Sequence, residues 1–326
     1  VTVKVLVAGG AGYIGAHVVR SLSERGHDPV ILDDFRRSRR GREGSFPLEC
    51  VAIEDAEAVL SVFTRHKPHA VIHLGGYISV GESTREPEMY WRNNLGSGMN
   101  LLFCAAHFPI ETFLFSSTAA VYGTPEILPI PEGAPLKPIN PYGAAKLAFE
   151  KALFDASRLF GFRAVAIRYF NASGAHPEWK VGEEHEPEEH LIPRVIRGLS
   201  LGRPAQVYGN DYPTPDGTCV RDYIHVTDLA SAHVIAIEDR SLPQQAAYNA
   251  GTGRGYSVLE VIKEIGRALG SEPSIEFHPR RPGDPPSLVA DPTALMKATA
   301  WKPEHSSLEE IVESALLWER QRVLSP

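Results

Sequence analysis

The tract Tyr142-Gly143-Ala144-Ala145-Lys146 sets a phenol and an ammonium group four residues apart, a spacing that puts both on one face of a helix. A free phenol has a pKa near 10, too high for an efficient base at neutral pH. A neighbouring ammonium favours the phenolate and makes Tyr142 a candidate base. Alone, the pair would be an ordinary feature of an amphipathic helix. However, Phe115-Ser116-Ser117-Thr118 lies 24 residues upstream, at the carboxyl end of an apolar run. Thr118 can offer its hydroxyl to the same substrate oxygen. Together the three groups suit removal of a proton from an alcohol.

A second motif supplies the other half of an alcohol oxidation. Gly9-Gly10-Ala11-Gly12-Tyr13-Ile14-Gly15 directly follows an apolar run. Small residues at 9, 12 and 15 let the backbone approach a pyrophosphate, and the helix that follows presents unpaired N–H groups to its charge. A glycine triplet by itself marks only a tight turn; its place between strand and helix makes it a dinucleotide fingerprint. Eighteen residues past Gly15, a second apolar run ends in Asp33-Asp34. A carboxylate there accepts hydrogen bonds from ribose hydroxyls and repels a 2′-phosphate, which favours NAD over NADP. Arg36, Arg37, Arg39, Arg40 and Arg42 crowd the same loop. They could pair with a 2′-phosphate, but a charge run in a loop is expected to be solvated.

These groups need elements to hold them. Short β-branched runs at 3–8, 29–32, 48–53, 70–74, 112–115 and 164–167 alternate with helical patterns at 14–25, 56–66, 87–106 and 142–160. Such alternation implies a parallel sheet covered on both faces, with right-handed crossovers. After residue 170 the texture changes. A stretch rich in Gly, Pro, His and acid (174–189) precedes a helical pattern at 190–201 and a strand–helix–strand at 223–226, 228–237 and 247–249. Two further helices are expected at 257–269 and 307–318. The expected fold is α/β: a Rossmann doubly wound parallel sheet (1–172 plus 222–252) with a smaller, discontinuous C-terminal substrate domain (173–221 plus 253–326).

Bulk properties exclude several classes. The chain of 326 residues carries a net charge of −7 and has no long apolar run, so neither nucleic acid nor membrane is an expected partner. Cys50, Cys104 and Cys219 are far apart and odd in number, against a disulfide framework or zinc cage. The first residues already read as strand rather than signal peptide. A cytoplasmic protein is expected.

Further motifs carry a resemblance. Val80-Gly81-Glu82-Ser83, Asn93-Asn94, Tyr122-Gly123, Asn140-Pro141-Tyr142, Arg168-Tyr169-Phe170-Asn171, Gly209-Asn210-Asp211-Tyr212-Pro213-Thr214, Asp216-Gly217-Thr218 and Val220-Arg221-Asp222-Tyr223-Ile224-His225 resemble the UDP-glucose (UDP-galactose) 4-epimerases of the extended short-chain dehydrogenase/reductase family. The resemblance runs from about residue 3 to 318. It implies a homodimeric isomerase that holds NAD and inverts C4 of a UDP-sugar through a transient 4-keto sugar. In that reading Tyr142 takes the 4-hydroxyl proton, Lys146 binds the nicotinamide ribose and, together with the positive nicotinamide ring, lowers the Tyr142 pKa, and Thr118 hydrogen-bonds the 4-oxygen. Gly9, Gly12, Tyr13, Ile14, Gly15, Asp33, Asp34, Phe35, Ser38, Ile53, Leu74, Gly75, Gly76, Asn93, Ser116, Ser117, Tyr142, Lys146 and Tyr169 would face the cofactor. Thr118, Tyr142, Phe170, Asn171, His190, Leu191, Tyr208, Arg221, Arg281, Asp284 and Leu288 would face the substrate.

Two positions depart from the family pattern. Ala52 stands where an Asp usually binds the adenine amino group, leaving Glu54 or Asp55 to substitute. Ile78 stands where some members carry a lysine near the cofactor ribose. Weaker NAD retention is the expectation. Leu288 is intermediate between the large and small residues found there, which leaves UDP-N-acetylhexosamines open beside UDP-glucuronate. A nucleotide-sugar 4,6-dehydratase would carry an Asp-Glu pair after Thr118, where this chain has Ala119-Ala120; a non-catalytic NAD-binding regulator usually lacks the Tyr/Lys pair. His176, His185 and His190 with Glu183, Glu184, Glu186, Glu188 and Glu189 show no compact ligand spacing, so no metal is expected and the tract reads as a surface loop over the substrate. His73 is expected to be a satisfied core histidine and Cys104 a small hydrophobe. Structural alternatives are an Arg221–Asp222 pair and solvated Arg280 and Arg281.

Overall fold

A computed structural model describes residues 2–176, 178–281 and 283–324. β1 (Lys4–Ala8) passes through the glycine loop into α1 (Tyr13–Glu24) and β2 (Asp28–Leu32), then β3 (Leu48–Glu49), α2 (Ala56–His66) and β4 (Ala70–His73). α3 (Val80–Arg85), α4 (Pro87–Tyr90), a π-helical segment (Trp91–Ser97) and α5 (Gly98–His107) lead to β5 (Thr112–Thr118). A 3₁₀ turn (Ala119–Tyr122) precedes α6 (Pro141–Phe160) and β6 (Arg163–Tyr169). β7 (Asn171–Ser173), β8 (Ala175–His176), β9 (Val181–Gly182), α7 (Leu191–Ser200) and β10 (Ala205–Tyr208) follow, then β11 (Val220–His225), α8 (Val226–Glu238) and β12 (Gln245–Ala250). The order ends with β13 (Gly255–Ser257), α9 (Val258–Leu269), β14 (Ile275–His278), β15 (Ser287–Leu288), α10 (Thr293–Ala298) and α11 (Leu308–Leu324).

Seven strands form one parallel sheet in the order β12-β6-β5-β4-β1-β2-β3. Chain order reverses between β1 and β4, so the crevice beyond their carboxyl ends is the place for a ligand. Alternate residues of β1 serve opposite faces. Val5 and Val7 join Val18, Leu22 and Leu229 on one side, while Leu6 and Ala8 join Phe63, Phe113 and Phe149 on the other. A separate apolar cluster, including Ile196, Val261, Ile265 and Ile311, unites α7, α9 and α11. Leu295 and Trp301 pack with the first sheet-face cluster instead, although their stretch was expected in the smaller domain. Among the described residues, no helix is long and apolar enough to cross a membrane.

Two expected elements differ. The third strand pairs only over Leu48–Glu49, and the chain then turns along the cleft. The long helix expected over 87–106 is interrupted by the π segment, where Ser97 Oγ donates to Asn93 O (2.6 Å). That widening turns Asn93 and Asn94 toward Tyr77 N, at 3.2 and 2.8 Å; π segments recur at functional sites for this kind of re-aiming.

The phase of α6 is set at its start. Asn140 caps it by accepting from Gly143 N (2.8 Å), and Pro141 supplies the first helical residue. Farther along, the Glu150 carboxylate receives Arg168 Nη2 (2.8 Å) and Nε (3.1 Å) of β6, with both residues almost wholly buried. Glu150→Ala would strand the Arg168 guanidinium, costing about 3–5 kcal/mol, whereas a joint Glu150→Leu/Arg168→Met exchange should recover most of that loss. Urea unfolding of both variants checks the expectation, and an unchanged midpoint for Glu150→Ala would refute it.

Candidate active site

At the sheet's reversal point two loops come very close. Gly9 has φ +79°, and a Cβ there would stand 2.6 Å from Gly75 N; one on Gly15 would stand 2.0 Å from Gly9 O. Only glycine permits this approach. α1 then starts at Gly12 with no side-chain cap, so its first-turn N–H groups remain free to meet an anion. Asp33, at the end of β2, accepts from Ala11 N (3.0 Å), Phe35 N (3.0 Å) and Ser38 Oγ (2.6 Å). It thereby ties the loop after β2 to the glycine turn.

A single cavity of about 880 Å³ runs from this cradle to the smaller apolar cluster. The expected cofactor and substrate residues all line it, with two exceptions. Phe35 adopts φ 60° and lies under the Arg40 guanidinium (4.3 Å). Ser117 is buried and donates to Glu150, so its hydroxyl turns into the protein while those of Ser116 and Thr118 remain on the cavity side.

Between the two ends stand the candidate catalytic groups. Lys146 is buried, donates to Ser116 O (2.9 Å) and lies 4.9 Å from the Phe115 ring centre. Burial lowers its pKa to about 8, against the opposing charge of Glu150. Burial raises the Tyr142 phenol above its usual value, and the neighbouring Thr118 hydroxyl only partly offsets this. The lowering of Tyr142 was expected from the ammonium together with a positive nicotinamide ring, and the protein's own groups do not supply it by themselves. His73 also differs from expectation. It sits between the Phe115 and Phe149 rings, and neither ring nitrogen has a hydrogen-bond partner among the described residues. Burial pushes its pKa down to about 3, so it is neutral.

The far end is aromatic and cationic. Arg281 lies 3.9 Å from the Tyr208 ring centre, and His278 stacks on the same ring. Arg221 faces Asp284 (3.8 Å). It does not pair with Asp222, whose carboxylate accepts from the N–H groups of Thr252, Gly253 and Ala290. Arg280 is likewise not merely solvated, since it pairs with Asp211 (2.6 Å) and covers Tyr212. Leu288 of β15 is in register with Arg221 of β11. Ile78 lines the cavity as well. Of the two candidates to replace the acceptor missing at Ala52, Asp55 is taken up capping α2, while Glu54 lines the cavity. Tyr77 and Glu82 line it too and were not named as site residues, and Arg36 and Arg37, expected to be solvated, line it in ion pairs. The available signal was the position of Tyr77 directly after Leu74-Gly75-Gly76.

Residues 5–251 match the NAD dependent epimerase/dehydratase family. The chain belongs to that family. The UDP-glucose 4-epimerase of Azospirillum brasilense is 46% identical over 97% of this chain and 92% of its own length. The crystal structure of UDP-glucose 4-epimerase from Brucella ovis in complex with NAD matches with a TM-score of 0.92 at 42% identity, covering 97% of this chain and 98% of that one. The enzyme from Bifidobacterium longum in complex with NAD+ and UDP gives a TM-score of 0.93 at 38% identity, over 98% and 99%.

One feature of this epimerase-family chain overturns an expectation about the histidine–glutamate tract. Glu183, His185, Glu188 and His190 converge, with their ligating atoms all within 4.8 Å of one another. His190 Nδ1 lies 2.7 Å from Glu183 Oε1 and 2.9 Å from Glu188 Oε1. The Glu183 and Glu188 carboxylates are nearly buried, so the tract, expected only as a surface loop over the substrate, also holds a packed charge cluster beside the cavity. Desolvation opposes every ionised form here. The mutual attraction prevails, raising His190 to about 10 and lowering Glu183 to about 2. Stability contributed by His190 is whole below its unfolded value of 6.5 and lost as pH rises through about 10; that of Glu183 is whole above 4.5 and lost as pH falls through about 2. The stability gap between wild type and His190→Gln, measured by urea unfolding, should be widest near about pH 5–6 and narrow toward about pH 10. A pH-independent gap would remove His190 as the cation of the cluster.

Proposed function

We propose that this chain is an NAD-dependent UDP-hexose 4-epimerase that interconverts UDP-glucose and UDP-galactose. The observation that carries this reading is the convergence of Thr118, Tyr142 and Lys146 midway along one cavity, between a glycine cradle and an arginine–tyrosine wall. The relatives named above are UDP-glucose 4-epimerases, and two solved neighbours hold NAD.

The chain's own residues fit NAD. A Cβ would fill the cradle at Gly9 and Gly15, the N-terminus of α1 is uncapped, and Asp33 and Asp34 stand at the ribose position. Arg36 is engaged by Asp34 and Glu54, and Arg37 by Glu82. Neither guanidinium is free for a 2′-phosphate, so NAD should bind more tightly than NADP in a fluorescence titration; the reverse order would overturn this preference.

When bound, NAD supplies the oxidising and then the reducing capacity at sugar C4. Tyr142 takes the proton from the 4-hydroxyl and returns it when the 4-keto sugar is reduced, so no net proton is exchanged. Thr118 holds the same oxygen, and Lys146 adds the positive charge that keeps it oriented. Arg221 and Arg281 suit the diphosphate and Tyr208 the uracil, with Asp284 available to ribose hydroxyls. Asn171, His190 and Leu191 complete the substrate wall. A sugar tethered by its nucleotide can then turn over to expose its other face. Phe170, Leu191 and Leu288 offer no hydrogen bond to hold the hexose in one orientation. Dehydration of the sugar would need an acid–base pair after Thr118, and Ala119 and Ala120 stand there, Ala120 capped by the Thr118 hydroxyl (3.1 Å).

We assign the cluster around α7, α9 and α11 to the nucleotide-sugar domain. A homodimer fits the exposed apolar side chains Met99 and Phe103 of α5 and Leu159 and Phe160 of α6, and cytoplasmic residence fits an enzyme of this substrate class. Incubation with UDP-galactose, followed by NMR or a coupled assay, tests the activity. Tyr142→Phe should lower turnover about 10²–10⁴-fold while still binding NAD; near-wild-type turnover would remove its base.

A further inference from the structure

The arginine-rich loop after β2 is bonded to three separate walls. Arg36 meets Asp34 and Glu54, and Glu54 also accepts from Asn93 Nδ2 (3.2 Å) of the π segment. Arg37 reaches Glu82 of α3 at 3.0 Å and lies 4.5 Å from the Tyr77 ring centre. Arg39 meets Glu184 at 2.7 Å, and the buried Arg42 donates to Gly182 O (3.0 Å). Because β1 lies between β2 and β4 in the sheet, the Arg37 bridge crosses the mouth of the glycine cradle. Arg36, Arg37, Glu54, Tyr77, Glu82 and Asn93 all line the cavity.

We propose that Arg36 and Arg37 are cofactor-retaining residues, whose bridges to Glu54 and Glu82 close over the adenosine half of the dinucleotide and replace the anchor that Ala52 cannot provide. The inference rests on the NAD reading above. Single exposed ion pairs are weak, so the effect resides in closure. Both bridges must open before the dinucleotide leaves, and its pyrophosphate departs past two guanidinium groups. Salt screens both bridges and therefore speeds release. The arginines are fixed by carboxylates on opposite walls, so the loop stays across the cleft instead of extending into solvent.

The test uses the NAD-loaded enzyme. Bound NAD is chased with excess labelled NAD, and its release is timed at about 0.05 M and about 0.5 M NaCl. Wild type should release NAD faster at high salt. Glu54→Gln/Glu82→Gln should release it roughly tenfold faster at low salt and lose most of the salt dependence. Arg36→Lys/Arg37→Lys, which keeps the charge and loses the planar fork, should fall between. Release rates and salt dependence equal to wild type in both variants would overturn the clasp while leaving NAD binding intact. A wild-type chain that binds no NAD would overturn the clasp together with the cofactor reading.

Discussion

One stripe of α6 meets the end of β5 rung by rung, and the site depends on that registration. Tyr142, Lys146 and Glu150 recur at intervals of four on the same helical face. Tyr142 lies beside Thr118, Lys146 donates to Ser116 O, and Glu150 accepts from Ser117. The third rung is buried and locked by the Arg168 fork from the adjacent strand β6, whose register with β5 pairs Ser117 with Arg168. Arg168 in turn donates to Tyr122 (2.9 Å), and Tyr122 to Asn249 (2.7 Å) of β12. The placement of Tyr142 and Lys146 is thus inherited from a polar network spanning three neighbouring strands. A slip of one residue in α6 would misplace all three rungs together.

The same burial that gives this precision opposes ionisation. Desolvation raises Tyr142 and lowers Lys146, so burial works against both charged forms; at about 8 Lys146 still keeps its ammonium at neutral pH, while Tyr142 stays a neutral phenol. Glu150 is the counterweight, since its charge favours the ammonium of Lys146. In the proposed mechanism Tyr142 would become an effective base once further positive charge enters the cleft. On that proposal, proton abstraction would be coupled to occupancy of the dinucleotide site; His73, neutral beside Lys146, adds no competing charge.

Local signals were legible in the sequence because their causes are local. The glycine spacing, the Tyr/Lys interval and the Asn140-Pro141 helix start each encode geometry within a few residues, and α2 occupies the residues that its periodicity predicts. What escaped depends on distant partners. The third strand pairs with β2 over two residues only, because Val51 N then turns back onto Glu49 O (3.0 Å). The 87–106 pattern is apolar enough for one helix, yet the Ser97–Asn93 contact widens it. Ser117 has the same residue type as Ser116 and points the other way, as strand alternation requires. The histidine–glutamate tract condenses because Arg42 and Arg197 converge on it, Arg42 bonding Gly182 and Glu184 and Arg197 facing Glu188. No spacing rule within the tract reveals those arginines.

The distribution of polarity along the cavity has its own consequence. Strong anchors sit at its two ends: backbone N–H groups and Asp33 at one, and Arg221, Arg281 and Tyr208 at the other. The middle offers Thr118, Tyr142 and Lys146 on one side and Phe170, Leu191 and Leu288 around them. A ligand bound chiefly through charged groups at its far end retains rotational freedom where it reacts, because apolar contacts are non-directional and roughly equal in either orientation. Tight binding and turnover of the sugar would ordinarily compete for the same contacts. In the proposed binding mode, placing the directional interactions away from C4 would separate them, and Thr118, Tyr142 and Lys146 would act on the one oxygen whose proton must move.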